Sequence, residues 1–171
     1  MVRIKKYNKY AKLISGFIYK DEAVFIGSRD LLKKRFGRID FQSEALDFTC
    51  TGYYEKEMGA GLKRRFVCFS RPVPMESLYR IKLYTNRIEK KFMASGARKV
   101  NIDPGYLDSA KLVLASTKDY AHRVYLRKNI FAEIALSFRK DSFSPNDWTY
   151  PDYRSEEYIA IFNKIRKLHT R

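Results

Sequence analysis

The sequence predicts an α+β single domain: a ferredoxin-like βαββαβ core followed by a C-terminal β-hairpin and a terminal helix. Three observations predict it. Between residues 11 and 103 the apolar spacing reads strand, helix, strand, strand, helix, strand. The chain has 171 residues, 45% hydrophobic and 15% aromatic, which is enough apolar surface for a core without metal or disulfide staples. Gly and Pro punctuate the joints between segments, at Gly37, Pro72, Pro74, Gly96 and Pro104-Gly105.

Residues 1–10 form a basic arm, with Arg3, Lys5, Lys6 and Lys9 interleaved with Tyr7 and Tyr10. Ala11 to Tyr19 is apolar on both faces and reads as a central strand. Asp21 caps a helix over Glu22 to Phe36, with Phe25, Leu31, Leu32 and Phe36 as its stripe and Gly37 as its stop. Ile39 to Phe48 is a second strand, Thr49 to Gly61 a loop, and Leu62 to Arg71 a third strand. Pro74 opens a helix whose Leu78, Ile81, Tyr84, Ile88 and Phe92 recur at helical spacing. Arg98 to Asp103 is the fourth strand, closed by Pro104-Gly105, and a short helix follows over Ser109 to Ser116. His122 to Leu126 and Ile130 to Phe138 form a hairpin around the turn Arg127-Lys128-Asn129. Asp141 to Arg154 is an aromatic loop. Ser155 then caps a last helix with Glu156 and Glu157 in its first turn and Lys164, Arg166, Lys167 and His169 near its end.

The charge balance is 35 Lys+Arg against 19 Asp+Glu, a formal +16. That excess points to an anionic partner, a nucleic acid or a nucleotide. No apolar run approaches the roughly 18 residues that cross a bilayer, and the basic start has no apolar segment behind it. No membrane is therefore expected among the partners, and the expected location is the cytoplasm. Cys50 and Cys68 are expected as reduced thiols, and two Cys with two scattered His make no zinc pattern.

Four constellations carry chemistry. In the first, Tyr53, Tyr54 and Glu57 precede Arg64 and Arg65, so rings could stack a base while guanidinium groups clamp a phosphate. The plain alternative is a loop whose tyrosines cover the sheet edge and whose carboxylates pair with those arginines. In the second, Asn101 and Asp103 share a strand face at its end, with Tyr106 and Lys111 close behind. That suits a ribose hydroxyl, and makes Asp103 a weak candidate for Mg²⁺, which enters only with a phosphorylated ligand. The plain alternative is a turn carboxylate accepting backbone hydrogen bonds. In the third, Arg123 lies opposite Glu133 across the hairpin, while strand alternation sends His122 to the other face. Such a pair is commonly structural; as function, Glu133 orients Arg123 to an anion and His122 is an acid–base group. In the fourth, Trp148 stands in the loop before the last helix, as a stacking wall or as a plug of the core.

Taken together, DFTCTGYYEKEMGAGLKRRF (47–66), VNIDPGYLDSAKLVLAST (100–117), HRVYL (122–126) and WTYPDYRSEEY (148–158) resemble an uncharacterised prokaryotic family, a domain of unknown function. The resemblance spans nearly the whole chain. Members of that family sometimes carry the automatic label "GTP-binding protein". The residues do not supply a P-loop: no GxxxxGK[ST] string exists, and Gly59-Ala60-Gly61-Leu62-Lys63-Arg64 lacks its spacing and its Ser/Thr. The guanine-reading NKxD is missing too, since Asn163-Lys164-Ile165-Arg166 ends in Arg. Nor does the third strand carry the RNP pattern of an RRM.

The expected function is binding of an anionic ligand, RNA or a nucleotide, through Arg64, Arg65, Arg123 and Lys128, with Tyr53, Tyr54 and Tyr106 as stacking surfaces. A second class is a small transferase or hydrolase acting on a phosphorylated compound. There Asp103, His122 and Glu133 are the catalytic candidates, and Lys82, Lys111 and Arg123 hold the phosphate. It requires one pocket that joins Asp103 to Arg123. A third class is an assembly subunit that uses an exposed sheet. Oligomeric state is not legible.

Overall fold

A computed structural model describes residues 9–50 and 52–169. The arm residues 1–8 lie outside the described residues. The chain forms β1 (Tyr10–Tyr19), α1 (Glu22–Phe36), β2 (Ile39–Gln42), β3 (Leu46–Asp47), α2 (Glu55–Met58), β4 (Lys63–Phe69), β5 (Val73–Pro74) and α3 (Leu78–Lys91). It continues with β6 (Val100–Leu107), β7 (Lys111–Ser116), β8 (Val124–Arg127), β9 (Ile130–Arg139), β10 (Ser142–Pro145) and α4 (Glu156–His169).

All ten strands join one antiparallel sheet, ordered β10-β9-β7-β6-β1-β4-β2; β3 pairs with β4, β5 with β1 and β8 with β9. β1 is central as expected, and every residue from Ala11 to Tyr19 is buried. The sheet is covered on both faces. Leu13, Phe17, Val67, Phe69 and Ile102 face α1 and α3 through Phe25, Leu32, Ile81 and Ile88. Ile14, Phe66, Leu112, Leu136 and Phe143 face α4 through Tyr158, Phe162 and Ile165. The expected caps are present. The Asp21 carboxylate accepts from the Ala23 amide at 2.8 Å, and the Ser155 hydroxyl accepts from the Tyr158 amide at 3.2 Å. No helix of the described residues is long and apolar enough to cross a membrane.

Several expected boundaries are corrected. Residues 39–48 form two short strands, because Ser43 turns inward and its hydroxyl accepts from the Phe66 amide at 3.0 Å. The loop over 49–61 contains α2. The fourth strand does not stop at Pro104-Gly105 but runs through them to Leu107. Residues 111–116 are strand β7, not helix: an aliphatic run buried on both faces suits either element, and here β6 and β9 flank it. The hairpin turn has two residues, Lys128 and Asn129, both at positive φ, as a type I′ turn requires. A second such turn, Lys140-Asp141, leads into β10, inside the segment expected to be loop.

Candidate functional site

The site begins where the sheet divides. β6 pairs with β1 along its whole length, but with β7 only from Gly105↔Leu114 to Leu107↔Leu112. Beyond Gly105 the two strands part, and β7 continues beside β9 to Ser116. The backbone groups that β6 would have offered to β7 are met by α3. The Ile102 amide donates to Glu89 Oε1 at 2.7 Å, and its carbonyl accepts from Lys82 Nζ at 2.9 Å. Lys82 and Glu89 are seven residues apart, so two helical turns bring both side chains to one face. Pro104 lies on the same side of the strand as Ile102 and has no N–H to give β7. Gly105 stands where the strands join. A β-carbon there would lie 2.3 Å from the Val113 carbonyl oxygen, so this close approach requires glycine.

The fork opens into a pocket of about 860 Å³. β6 and β7 form its lips, α3 lines one side, and the segments around Tyr53 and Tyr150 line the other. Its walls are held by three ion-pair networks.

Arg64 is the centre of the first. Its residue is 2% exposed, and its guanidinium donates to Asp103 Oδ2 at 3.1 Å and to Asp152 Oδ2 at 2.8 Å. It also lies over the rings of Phe48, Phe66 and Tyr153, at 5.2, 5.6 and 5.5 Å from their centroids. Burial works against ionisation of Asp103, but Lys82 and Arg64 outweigh it and hold its pKa below the ordinary aspartate value. Asp103 is therefore an ionised acceptor that faces the pocket, a poor general base at neutral pH.

The second network joins α2 to α3. Arg98 grips Glu57 with Nε and Nη2, the latter at 2.7 Å, and reaches Glu89 Oε2 at 3.3 Å and Asn101 Oδ1 at 2.9 Å with Nη1. Burial raises the pKa of Glu89, against the opposing pull of Lys82 and the Ile102 amide.

In the third, Arg123 Nε donates to Glu133 Oε2 at 2.7 Å. Arg123 Nη1 donates to Ser116 Oγ at 2.8 Å and to the Lys118 carbonyl at 2.9 Å, and Nη2 to the Tyr150 hydroxyl at 3.1 Å. His122 Nε2 also meets Glu133 Oε2, at 3.0 Å. The expectation that His122 and Arg123 face opposite ways is corrected. β8 starts at Val124, so strand alternation does not govern the two residues before it.

Two lysines of the pocket stand outside these networks. Lys118 Nζ lies 4.2 Å from the Tyr53 ring centroid. Neither it nor Lys90 has a carboxylate within ion-pair distance among the described residues, and both are exposed. Tyr53 and Tyr120 are exposed beside them, at 56% and 46%.

Of the residues singled out from the sequence, the pocket brings together Tyr53, Tyr54, Glu57, Arg64, Lys82, Asn101, Asp103, Arg123 and Glu133. The others lie elsewhere. Arg65 is on the α1 face, paired with Glu22 and 4.9 Å from the Phe25 ring centroid. Tyr106 packs against Leu78, Val113 and Ile130. Lys111 pairs with Asp108 at 2.8 Å, at the other end of β7. Trp148 stacks on His122, 5.9 Å between centroids, and donates to the Ile134 carbonyl outside the pocket. Among the described residues no three His, Cys, Asp or Glu side chains gather as a metal site. Asp103 faces Arg64 and Lys82 instead, with Lys82 Nζ at 3.9 Å.

The sequence reading missed Glu89, Arg98 and Asp152 as parts of the site. Glu89 had a readable signal: Lys82, Asn86 and Glu89 form a polar line beside the apolar stripe of α3. Asp152 carried none, because its Pro151-Asp152 context reads equally well as a turn.

The family described as "Domain of unknown function (DUF4416)" matches residues 9–169. No curated protein and no solved structure matches the chain.

Proposed function

This chain belongs to the DUF4416 family of unknown function, and we propose that its fork pocket binds a small phosphorylated ligand of the nucleotide class. The observation that carries this is Lys118: an exposed cation over the Tyr53 ring, without a carboxylate partner among the described residues, on a pocket whose arginines are already paired. A phosphate meets Lys118 and Lys90 at the mouth. A planar ring lies against Tyr53 or Tyr120. Deeper in, ionised Asp103 only accepts hydrogen bonds, so it selects an amino group or a sugar hydroxyl. A volume of about 860 Å³ lies within the range typical of cofactor sites. Arg123 and Arg64 keep the walls in place rather than clamp phosphate, because their own carboxylates occupy them.

The strand order β6-β1-β4-β2, with α1 and α3 on one face, supports a ferredoxin-like unit to which β7, β9 and β10 are added. In this reading α4 covers part of the face on which an RRM would bind RNA. That favours a pocket ligand over a polymer at this site. The free thiols Cys50 and Cys68 fit a cytoplasmic protein.

The test is isothermal titration with nucleoside mono-, di- and triphosphates, the matching nucleosides and inorganic phosphate. A nucleotide is expected to bind more tightly than its nucleoside. Lys118→Ala should weaken it roughly 10–100-fold, the worth of one charge-assisted contact. Equal binding of nucleotide and nucleoside, or no effect of Lys118→Ala, would overturn the proposal.

A further inference from the structure

A second concave surface lies on the other flank of α3, away from the fork. It is a groove of about 670 Å³ between the C-terminal end of α1, the β5 segment, α3 and the β8–β9 turn. Arg35, Arg71, Arg80, Arg87 and Lys128 line it, and among the described residues no Asp or Glu does. All five cations are exposed, and none has a carboxylate within ion-pair distance among the described residues. The contrast with the fork is direct, since there every buried arginine is matched by a carboxylate.

The geometry of α3 explains the division. Arg80, Tyr84 and Arg87 are spaced by four and three residues, so they share one face of the helix. Lys82 and Glu89 lie on the face that meets β6. One helix thus gives one flank to a paired, buried network and the other to uncompensated charge.

Five like charges in one groove repel one another, so the groove selects a ligand with several negative charges in a row. A single phosphate answers one or two guanidinium groups, not five. The groove also holds aromatic rings. Tyr10 is 53% exposed, and Arg80 lies 5.6 Å from the Tyr79 ring centroid. Arg127, next to Lys128, approaches the same ring from the turn, at 5.8 Å. Cations that track a backbone, interleaved with rings on which bases stack, are the chemistry of single-strand binding. A concave surface holds one strand, whereas duplex reading uses an element that protrudes into a groove.

We propose that this groove is a docking surface for single-stranded nucleic acid, separate from the nucleotide-class pocket and independent of it. Contacts to five phosphates give a salt slope of about −3.5, which is a loss of roughly 100-fold in affinity between 50 and 200 mM salt.

The experiment is fluorescence anisotropy of the full chain with an end-labelled single-stranded RNA 12-mer of mixed sequence, and with its DNA counterpart, across that salt range. Binding with the steep slope is expected, and the two probes decide which sugar is preferred. The Arg80→Ala/Arg87→Ala variant should bind more weakly, with the slope reduced by about 1.4. Arg71→Ala, outside any helix, should reduce it by about 0.7. Lys164→Ala/Lys167→Ala on α4 removes the same charge from the opposite face of the molecule and should leave the slope nearly unchanged. Lys118→Ala should also leave it unchanged, so failure of the pocket reading would not disturb this one. The proposal is overturned if neither probe binds at 50 mM salt. It is equally overturned if the α4 and α3 pairs reduce the slope alike, which is what diffuse attraction by a +16 chain would give. Groove-dependent binding to vesicles of anionic phosphatidylglycerol, with no binding to either strand, would assign the surface to a membrane instead.

Discussion

Gly16 makes room for Arg64: a β-carbon on Gly16 would lie 2.9 Å from the Arg64 Nη1 atom. The next nearest atoms would be Phe66 Cε1 at 3.1 Å and the Tyr153 hydroxyl at 3.3 Å. A strand residue at the centre of the sheet is thus glycine because a guanidinium crosses over it. The far end of an arginine is ordinarily free to move aside. Here Asp103 and Asp152 pin it, and three rings enclose it.

Gly16→Ala should therefore destabilise the fold by about 1–3 kcal/mol, as overpacking of a core does, despite the better strand propensity of alanine. Urea denaturation at pH 7 measures this. A midpoint equal to that of the parent chain would mean that Arg64 yields freely.

Asp103→Asn should show its effect on the acid side. Against the opposing effect of burial, Lys82 and Arg64 hold the folded pKa of Asp103 below the ordinary aspartate value. Its charge therefore contributes stability that is present above the unfolded value and is lost as pH falls through the folded one. In the parent chain stability drops over that window. In the variant this part of the drop is missing, while stability at neutral pH is lower by about 3 kcal/mol, because Arg64 keeps only Asp152. Urea midpoints from about pH 2.5 to 6 check both parts. Glu89 contributes with the opposite sign. Burial raises its folded pKa, so its contribution is present below the unfolded value of 4.5 and is lost as pH rises through the folded one.

The Lys140-Asp141 turn should accept improvement. Both residues adopt positive φ, 48° and 68°, without being glycine. Replacing the pair with Asn-Gly, the preferred type I′ sequence, should raise stability by about 1 kcal/mol. Thermal unfolding of the double variant reads this, and binding at the fork and at the groove should stay as in the parent, since neither surface includes the turn.

How much of this was legible follows from the kind of signal each residue carries. β1, α1, α3 and α4 were readable because their apolar period or their caps are local. Asp21 and Ser155 cap the helices they were expected to cap. Pro104-Gly105 was misread because Pro-Gly ordinarily marks a turn. Here β6 loses its partner at that point, so a missing N–H costs nothing and a missing β-carbon is required. Arg64 was read as available for phosphate. Its parity with Phe66 and Cys68 placed it on a buried face, but the carboxylate that neutralises it most closely, Asp152, is 88 residues away. Spacing within a strand does not reveal such a partner. The groove was hidden for the same reason. Arg35, Arg71, Arg80 and Lys128 come from four separate segments, and only the packing of α1 against α3 and the hairpin assembles them.

The fork also has a mechanical consequence. The β7–β9 leaf is joined to the β1–β6 leaf by three residue pairs, Gly105–Leu107 against Leu112–Leu114. Ladder bonds are few at this seam, and side-chain packing under α4 and α3 makes the rest of the join. A ligand seated between Asp103 on one leaf and Lys118 on the other is a cross-brace. It would slow amide hydrogen exchange on both leaves at once, with no contact to most of the residues it stiffens.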